Sequence, residues 1–454
     1  MKRFQKYTAF LAAMVAGLWL VSCASYVQNV EPLIDVIDDP LLNSQAQVPF
    51  LVNGVNRQLS LAASQMVTLA ELQSDAFYFD TRFPNATFPT FGEIDVCGIQ
   101  LDNNSSNNQW AVLGNYRFHA DNLVERALGK IPFTNDAVGT ASRATALFNG
   151  YLHGAIVRYF YASYYGLNPN EGGGVINAGP FVPSQAMYDS ALVRLNLALA
   201  NAATPAQTRI VNTWIAKVNT AAGRYPAART AALAGMVRND APFTVLYDPA
   251  TITTQWWNDG GRGRAQMLPD TRFETYIRAD SLEGRFFTAL QRPAPATIID
   301  FVGTDADFAA SLTTRRLMFH TVTLNAANGN LRFLMQGRFP NQNSAQVLAS
   351  WQENELILAE TAARNGDNAG ALVNVNNVRT FHGLAARTVT NTDSIYIERD
   401  KQLFAQGSRV IDQRRFNRWH TTTPSAAGAV AVGAWRFLPI GLPERNVNQN
   451  LPRP

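Results

Sequence analysis

Two short stretches of this chain hold side chains suited to gripping a hydroxylated ring. "DAFYFDTRFPNATFPTF" (Asp75 to Phe91) sets Phe77, Tyr78, Phe79 and Phe91 beside Arg82 and Asn85. "TTQWWNDGGRGR" (Thr253 to Arg264) sets Trp256 and Trp257 beside Asn258, Asp259 and glycines. A sugar ring has apolar faces rimmed by hydroxyls, and flat aromatic rings next to planar amide or guanidinium groups match that pattern. Neighbouring side chains in an extended stretch point opposite ways, so a Trp pair offers one ring outward and one to the body. Tyr276 is a weaker addition. The expected contact set is Tyr78, Phe79, Arg82, Asn85, Trp256, Trp257, Asn258 and Tyr276, acting by stacking and hydrogen bonding.

Spacing gives little support to covalent or metal chemistry. His119, His153, His320, His382 and His420 stand singly; there is no HExxH, no Cys/His cluster and no GxSxG elbow. No metal and no cofactor is expected. A glycosidase carboxylate pair needs no local motif and stays open on sequence alone. The segment "QGSRVIDQRRFNRWH" (Gln406 to His420) packs Arg409, Arg414, Arg415 and Arg418 closely, as a nucleic-acid patch would. The whole chain, however, has 38 Lys and Arg against 34 Asp and Glu, and three of the bases lie in the first six residues. Without those three the chain is nearly neutral, which argues against a nucleic-acid partner. The arginines read instead as structural, with Arg409 and Arg414 placed to pair with Asp412, Glu398 or backbone carbonyls of neighbouring helices.

The first 22 residues look like a targeting segment. Lys2, Arg3 and Lys6 precede "TAFLAAMVAGLWLV", an apolar run too short for a comfortable membrane span. "LVSC" (Leu20 to Cys23) follows and resembles a bacterial lipobox, whose cysteine is acylated and becomes the mature N-terminus. Acyl chains add about 0.8 kcal/mol per buried methylene, so several anchor firmly. Ala24 rather than Asp follows the cysteine, which favours the outer membrane. Cys97 is then left without a partner and reads as a buried free thiol.

The remaining pattern is largely helical. Residues 23–45 read as a lipidated tether and 46–454 as one body, for which the 47% hydrophobic content allows a sizeable core. Helical spacing runs through Phe50 to Leu72, Asn115 to Leu128, Ser142 to Gly166 (with Ser142 as cap) and Gln185 to Ala202. Asp80 to Trp110 reads as a long irregular segment, and "LNPNEGGGVINAGP" as a flexible loop. Two helical hairpins, near 142–236 and 345–383, share a turn spacing: Gly223, Tyr225, Ala228 and Gly366, Asn368, Ala371. Gly permits the turn and Ala lets the helices approach, which resembles a tetratricopeptide repeat. Tyr396, Leu403, Phe404, Gly407, Val410 and Ile411 are expected on one helical face, capped by Asp393 or Ser394.

Three C-terminal stretches, in order, carry a more specific resemblance. They are "LAETAARNGDNAGALVNVNNVRTFHG", "ERDKQLFAQGSRVIDQRRF" and "FLPIGLPERNVNQNL", the last two within 394–451. Together with the lipobox and the looser segments "ELQSDAFYF" and "W…YRFHADNLVER", they resemble the SusD/RagB family of nutrient-binding outer-membrane lipoproteins. Gln406 stands where the family usually has Glu, and Gly441 where a second Pro is common.

The resemblance implies a mostly α fold: a SusD-like helical body with tetratricopeptide-like hairpins and an irregular, loop-rich ligand-binding subdomain. It also implies a lipid-anchored protein, facing outward from the outer membrane, that captures an oligosaccharide. The ligand would pass to a SusC-like TonB-dependent outer-membrane barrel, with no covalent step. Two other readings stand beside it: a peptide-binding uptake lipoprotein of the same family, and a helical-repeat envelope adaptor without a nutrient ligand.

Overall fold

The computed structural model describes residues 39–79, 87–261, 266–288, 314–322, 333–425 and 428–453. Cys23, the rest of the targeting segment, Arg82 and Asn85 lie outside these residues. Two short 3-10 turns, Asp39–Leu42 and Gln45–Gln47, lead into helix α1 (Val48–Gln73). Val55, Leu59, Ala62, Ala63, Met66, Val67 and Ala70 of α1 recur at helical spacing and are fully covered. The Phe50 to Leu72 pattern is thus a single helix.

Strand β1 (Phe77–Phe79) and the short helix α2 (Thr90–Asp95) follow, then α3 (Asn104–Gly129) and α4 (Ala137–Tyr164). Both long helices start earlier than the apolar pattern suggests, because polar side chains upstream cap them. Asn103 Oδ1 accepts the Ser106 N–H at 3.0 Å, and Asp136 Oδ1 accepts that of Gly139 at 2.7 Å. The cap of α4 is therefore Asp136, not Ser142, and the irregular segment ends at Asn103 rather than Trp110.

The glycine-rich stretch is built into a sheet. Strands β2 (Tyr165–Asn168), β3 (Glu171–Val175) and β4 (Phe181–Pro183) pair antiparallel in sequence. The expectation of a flexible loop fails because the glycines serve close packing. A Cβ on Gly172 would stand 2.3 Å from the Phe437 ring. Helices α5 (Ser184–Ala200), α6 (Pro205–Ala221) and α7 (Tyr225–Leu233) come next, with Thr204 and Gln207 forming a capping box on α6.

The middle of the chain contributes β5 (Phe243–Val245), α8 (Gln255–Asp259), β6 (Met267–Pro269) and α9 (Thr271–Ala279). Strands β7 (Gly284–Thr288), β8 (Leu317–Val322) and β9 (Phe333–Gln336) form a sheet in the order β7-β8-β9. Strand β10 (Gln346–Ala349) pairs with β5 and leads into α10 (Trp351–Arg364) and α11 (Asn368–Phe381). The C-terminal part holds α12 (Thr392–Gln402), α13 (Arg409–Arg415), the hairpin β11 (Thr422–Ser425) and β12 (Gly428–Ala431), β13 (Leu438–Pro439) and α14 (Leu442–Val447). Strand β13 returns to pair in parallel with β2.

The α6/α7 and α10/α11 hairpins turn on Gly223 and Gly366, at φ of 76° and 80°, a conformation that a Cβ disfavours. They pack on each other through Ala216, Ala228, Ala231, Ala232, Ile357 and Leu358. Lys217 crosses between them, its Nζ donating to Glu353 and to the Leu348 carbonyl at 2.8 Å. Of the small residues that suggested a repeat, Ala228 lies in the seam where the two hairpins meet and Ala371 packs in the main core.

The arginine-rich signature is one of the most densely paired parts of the interior. It is not one helix: the chain leaves α12, passes through positive φ at Ala405 and Gly407, and re-enters a helix at Arg409. Asn391, with Ser394, caps α12, in place of Asp393 or Ser394 alone. Arg409 pairs with Asp75 at 2.6 Å, a partner more than 300 residues upstream that local sequence does not reveal. Arg414 donates to the carbonyls of Ser163 and Arg436, Arg415 binds Glu360 and Asp412, and Arg418 binds Asp393 at the surface. Close by, Arg316, fully buried, bridges Glu283 and Glu398. Burial would raise the Glu398 carboxyl, but Arg316, Arg379 and Lys401 bring it down to about 2.

Candidate functional site

The two ring-binding stretches, nearly 180 residues apart in sequence, meet in space. Strand β1 pairs antiparallel with β6, with Tyr78 opposite Leu268. Behind this ribbon Phe77 packs on Trp256 at 4.7 Å between ring centres, and Trp256 stacks on Phe339 at 5.9 Å. A polar bridge ties the loop after β1 to α8. The Thr87 N–H donates to Gln266 Oε1 at 2.6 Å, and Gln266 Nε2 donates to Asp259 Oδ1 at 2.5 Å. Gln266 and Asp259 are both buried, so the bridge works in a low-dielectric setting where hydrogen bonds are strong.

The expected contact residues divide on this frame. Trp256 is fully covered and Phe79 is 2% exposed, its ring edge-on to Phe91 at 6.3 Å. These two are packing residues, and the expectation that they contact ligand is corrected. Phe77 and Phe79 share the inward face of β1, where Phe77 takes Trp256 as a core neighbour. The two tryptophans lie on helix α8 and not on an extended stretch, so it is the helical turn between them that sends Trp256 inward and leaves Trp257 half-buried. Tyr78, Trp257 and Asn258 are half-buried and stay open to solvent. Asn258 Nδ2 donates to Asp259 Oδ1 at 3.1 Å. Tyr276 is half-buried, but its hydroxyl donates to Asp400 at 3.2 Å and Lys401 Nζ sits 4.7 Å from its ring centre. It belongs to the ion-pair network beneath the surface.

Sequence reasoning missed Phe88 and Gln266. Phe88 is 71% exposed, one residue from the Thr87 anchor and ahead of a cis bond to Pro89. It stood among five other aromatics in the stretch, and only its place next to the anchor singles it out. Gln266 carried no signal, because its role depends on two partners from distant segments.

Asp95 supports the ribbon from below. Its carboxylate accepts the Phe79 N–H at 3.1 Å and the Thr423 hydroxyl at 2.8 Å, joining β1 to β11. Burial pushes its pKa up to about 7. Next to it, burial pushes the Cys97 thiol up to about 12; this free cysteine is packed and inert. No group of three His, Cys, Asp or Glu able to hold a metal ion occurs among the described residues.

No family model and no curated relative matches the sequence. Solved structures do. A SusD superfamily protein from Bacteroides fragilis shares 16% identity at a TM-score of 0.65, covering 90% of this chain and 99% of that one. The chain has the SusD fold. A SusD-like carbohydrate binding protein from Bacteroides vulgatus aligns at 13% identity and a TM-score of 0.64, over 90% of this chain and 97% of that one. Surface glycan-binding protein A from Bacteroides uniformis aligns at 13% identity and 0.66, over 90% and 99%. The likeness spans nine-tenths of this chain and nearly the whole of each of these solved structures.

Proposed function

We propose that this chain captures an oligosaccharide at the surface formed by Tyr78, Phe88, Trp257 and Asn258. The observation that carries this reading is the convergence of two aromatic stretches on one braced surface of a SusD-fold body. Tyr78, Phe88 and Trp257 offer rings to the apolar faces of sugars, and Asn258 offers an amide to their hydroxyls. Solved proteins of the same fold carry carbohydrate- and glycan-binding names, which supports the ligand class. Capture requires no covalent step and no metal. In the fuller reading, acylation at Cys23 anchors the protein facing outward from the outer membrane, and the ligand passes to a SusC-like TonB-dependent barrel.

Binding of the full-length protein to a panel of soluble polysaccharides, by affinity electrophoresis, tests the capture step. Trp257→Ala is expected to weaken binding about ten-fold or more, as central aromatic anchors do, while leaving the fold intact. Binding of oligopeptides and no sugar would instead select the peptide reading. Purification of the native lipidated protein in mild detergent, with its partner identified by mass, tests the transport role; recovery without a large β-barrel would remove it.

A further inference from the structure

Away from the ribbon, a groove of about 390 Å³ opens between residues 97–101, the end of β2 at Leu167 to Pro169, and Ala434 and Trp435. Backbone hydrogen bonds hold its walls: Trp435 N–H to the Cys97 carbonyl at 3.1 Å, Arg436 N–H to that of Pro169 at 3.1 Å, and Leu442 N–H to that of Leu101 at 2.9 Å. Leu101, Leu167 and Pro169 give an apolar lining, Trp435 is half-buried, and Gln100 and Asn168 stand exposed at the rim.

Arg445 also lines this groove and is only 6% exposed. Its Nε donates to the Ile440 carbonyl at 2.6 Å and its Nη2 to that of Leu167, while Nη1 makes no hydrogen bond among the described residues. No carboxylate pairs with it there; burial lowers its pKa and no acid offsets the effect. Two neighbours, the half-buried Arg414 and the exposed Arg436, also have no carboxylate partner among the described residues. Arg414 rests on two carbonyls and on the Phe437 ring at 4.1 Å, and Arg436 lies 6.0 Å from the Trp419 ring centre. The nearby acids serve neutral donors: Glu93 takes Asn103, Glu171 takes Asn168, and Glu444 takes Trp110 and Asn448. A buried cation without a counter-ion is costly, and the cost falls when an anion arrives.

We propose that this groove is a second glycan subsite that selects an acidic sugar: a uronate whose ring lies on Trp435 and whose carboxylate reaches Nη1 of Arg445. Gln100 and Asn168 then meet the ring hydroxyls. The proposal rests on the capture reading and deepens it by naming a ligand class. The guanidinium–carboxylate match supplies the selectivity, since a neutral ester of the same sugar leaves the cation unpaired.

Calorimetry on the full-length, detergent-solubilised protein tests it, with galacturonate and glucuronate oligomers, their methyl esters and a neutral gluco-oligosaccharide as probes. A uronate oligomer is expected to bind, its ester about ten-fold more weakly, and raised salt to weaken only the acid. Because Arg445 also holds two carbonyls, Gln100→Trp is the main variant: its bulk fills the groove from an exposed position, and uronate binding should vanish. Trp435→Ala should weaken the acid about ten-fold. Equal affinity for acid and ester, no binding of either uronate, or full binding by Gln100→Trp overturns the proposal. Neutral-glycan binding lost in Trp257→Ala but kept in Gln100→Trp separates the failure of this subsite from failure of the capture reading.

Discussion

The arginines of the interior and those beside the Trp435 groove have opposite surroundings. Arg316, Arg399, Arg409 and Arg415 each hold one or more carboxylates, and Glu398 alone accepts from Arg316, Arg379 and Arg387. Arg414, Arg436 and Arg445 hold carbonyls or rings. A cation whose charge is met by a carboxylate inside the protein has little left to offer an anionic ligand, whereas one matched only by dipoles does. The comparison teaches that clustered arginines become informative only once their partners are known.

Breaking the matched region should produce the largest effect. Arg316→Met removes the one fully buried cation shared by Glu283 and Glu398, leaving them only Lys401, Arg379 and Arg387, and should cost about 3 kcal/mol, measured by denaturant unfolding. Ligand binding by the surviving folded fraction should be unchanged, which separates scaffold from site. The two tryptophans sharpen the contrast at a similar scale. Trp256→Ala empties a core position between Phe77 and Phe339 and should cost about 3–5 kcal/mol. Trp257→Ala should cost under about 1 kcal/mol of stability while weakening glycan binding.

A smaller effect should come from the buried acids that lack a cation. Asp95 has its carboxyl pKa raised to about 7 by burial, so the folded state binds its proton more tightly than the unfolded chain does. Its stabilising contribution is present below about pH 4 and is lost as pH rises through about 7. Glu71, raised to about 8 by burial, acts in the same sense. Stability should therefore fall across neutral pH, and Asp95→Asn should remove close to one proton from the slope of unfolding free energy against pH. Asp75 is the matched counterpart: burial raises it, but Arg272 and Arg409 outweigh that and hold it at about 2. The smallest effect is local. Gly366→Ala meets no neighbour within 4 Å, so its cost is backbone strain alone, about 1 kcal/mol, read as a few degrees in Tm.

Much of the helical body was legible because its signals are local. Apolar residues at a period of 3.6 mark α1 and α5, and Gly223 and Gly366 mark the turns of the α6/α7 and α10/α11 hairpins by a conformation that few other residues adopt. Helix starts were less legible, since Asn103 and Asp136 cap from outside the apolar pattern. The glycines of β3 read as loop because their reason, the nearness of Phe437, Val182 and Tyr161, comes from other segments. At the candidate site the residue types were visible and their orientation was not: Phe79 and Trp256 face inward, Tyr78 and Trp257 outward.

The sequence by itself determined the helical class, the paired hairpins, the near balance of charge and the two aromatic stretches, because each follows from composition or short-range periodicity. Tertiary structure decided which rings stay open, that Gln266 braces the ribbon, that Arg409 reaches Asp75, and that Arg445 has no carboxylate partner among the described residues. These depend on contacts between segments tens to hundreds of residues apart, and burial and charge pairing belong to such contacts rather than to any one residue.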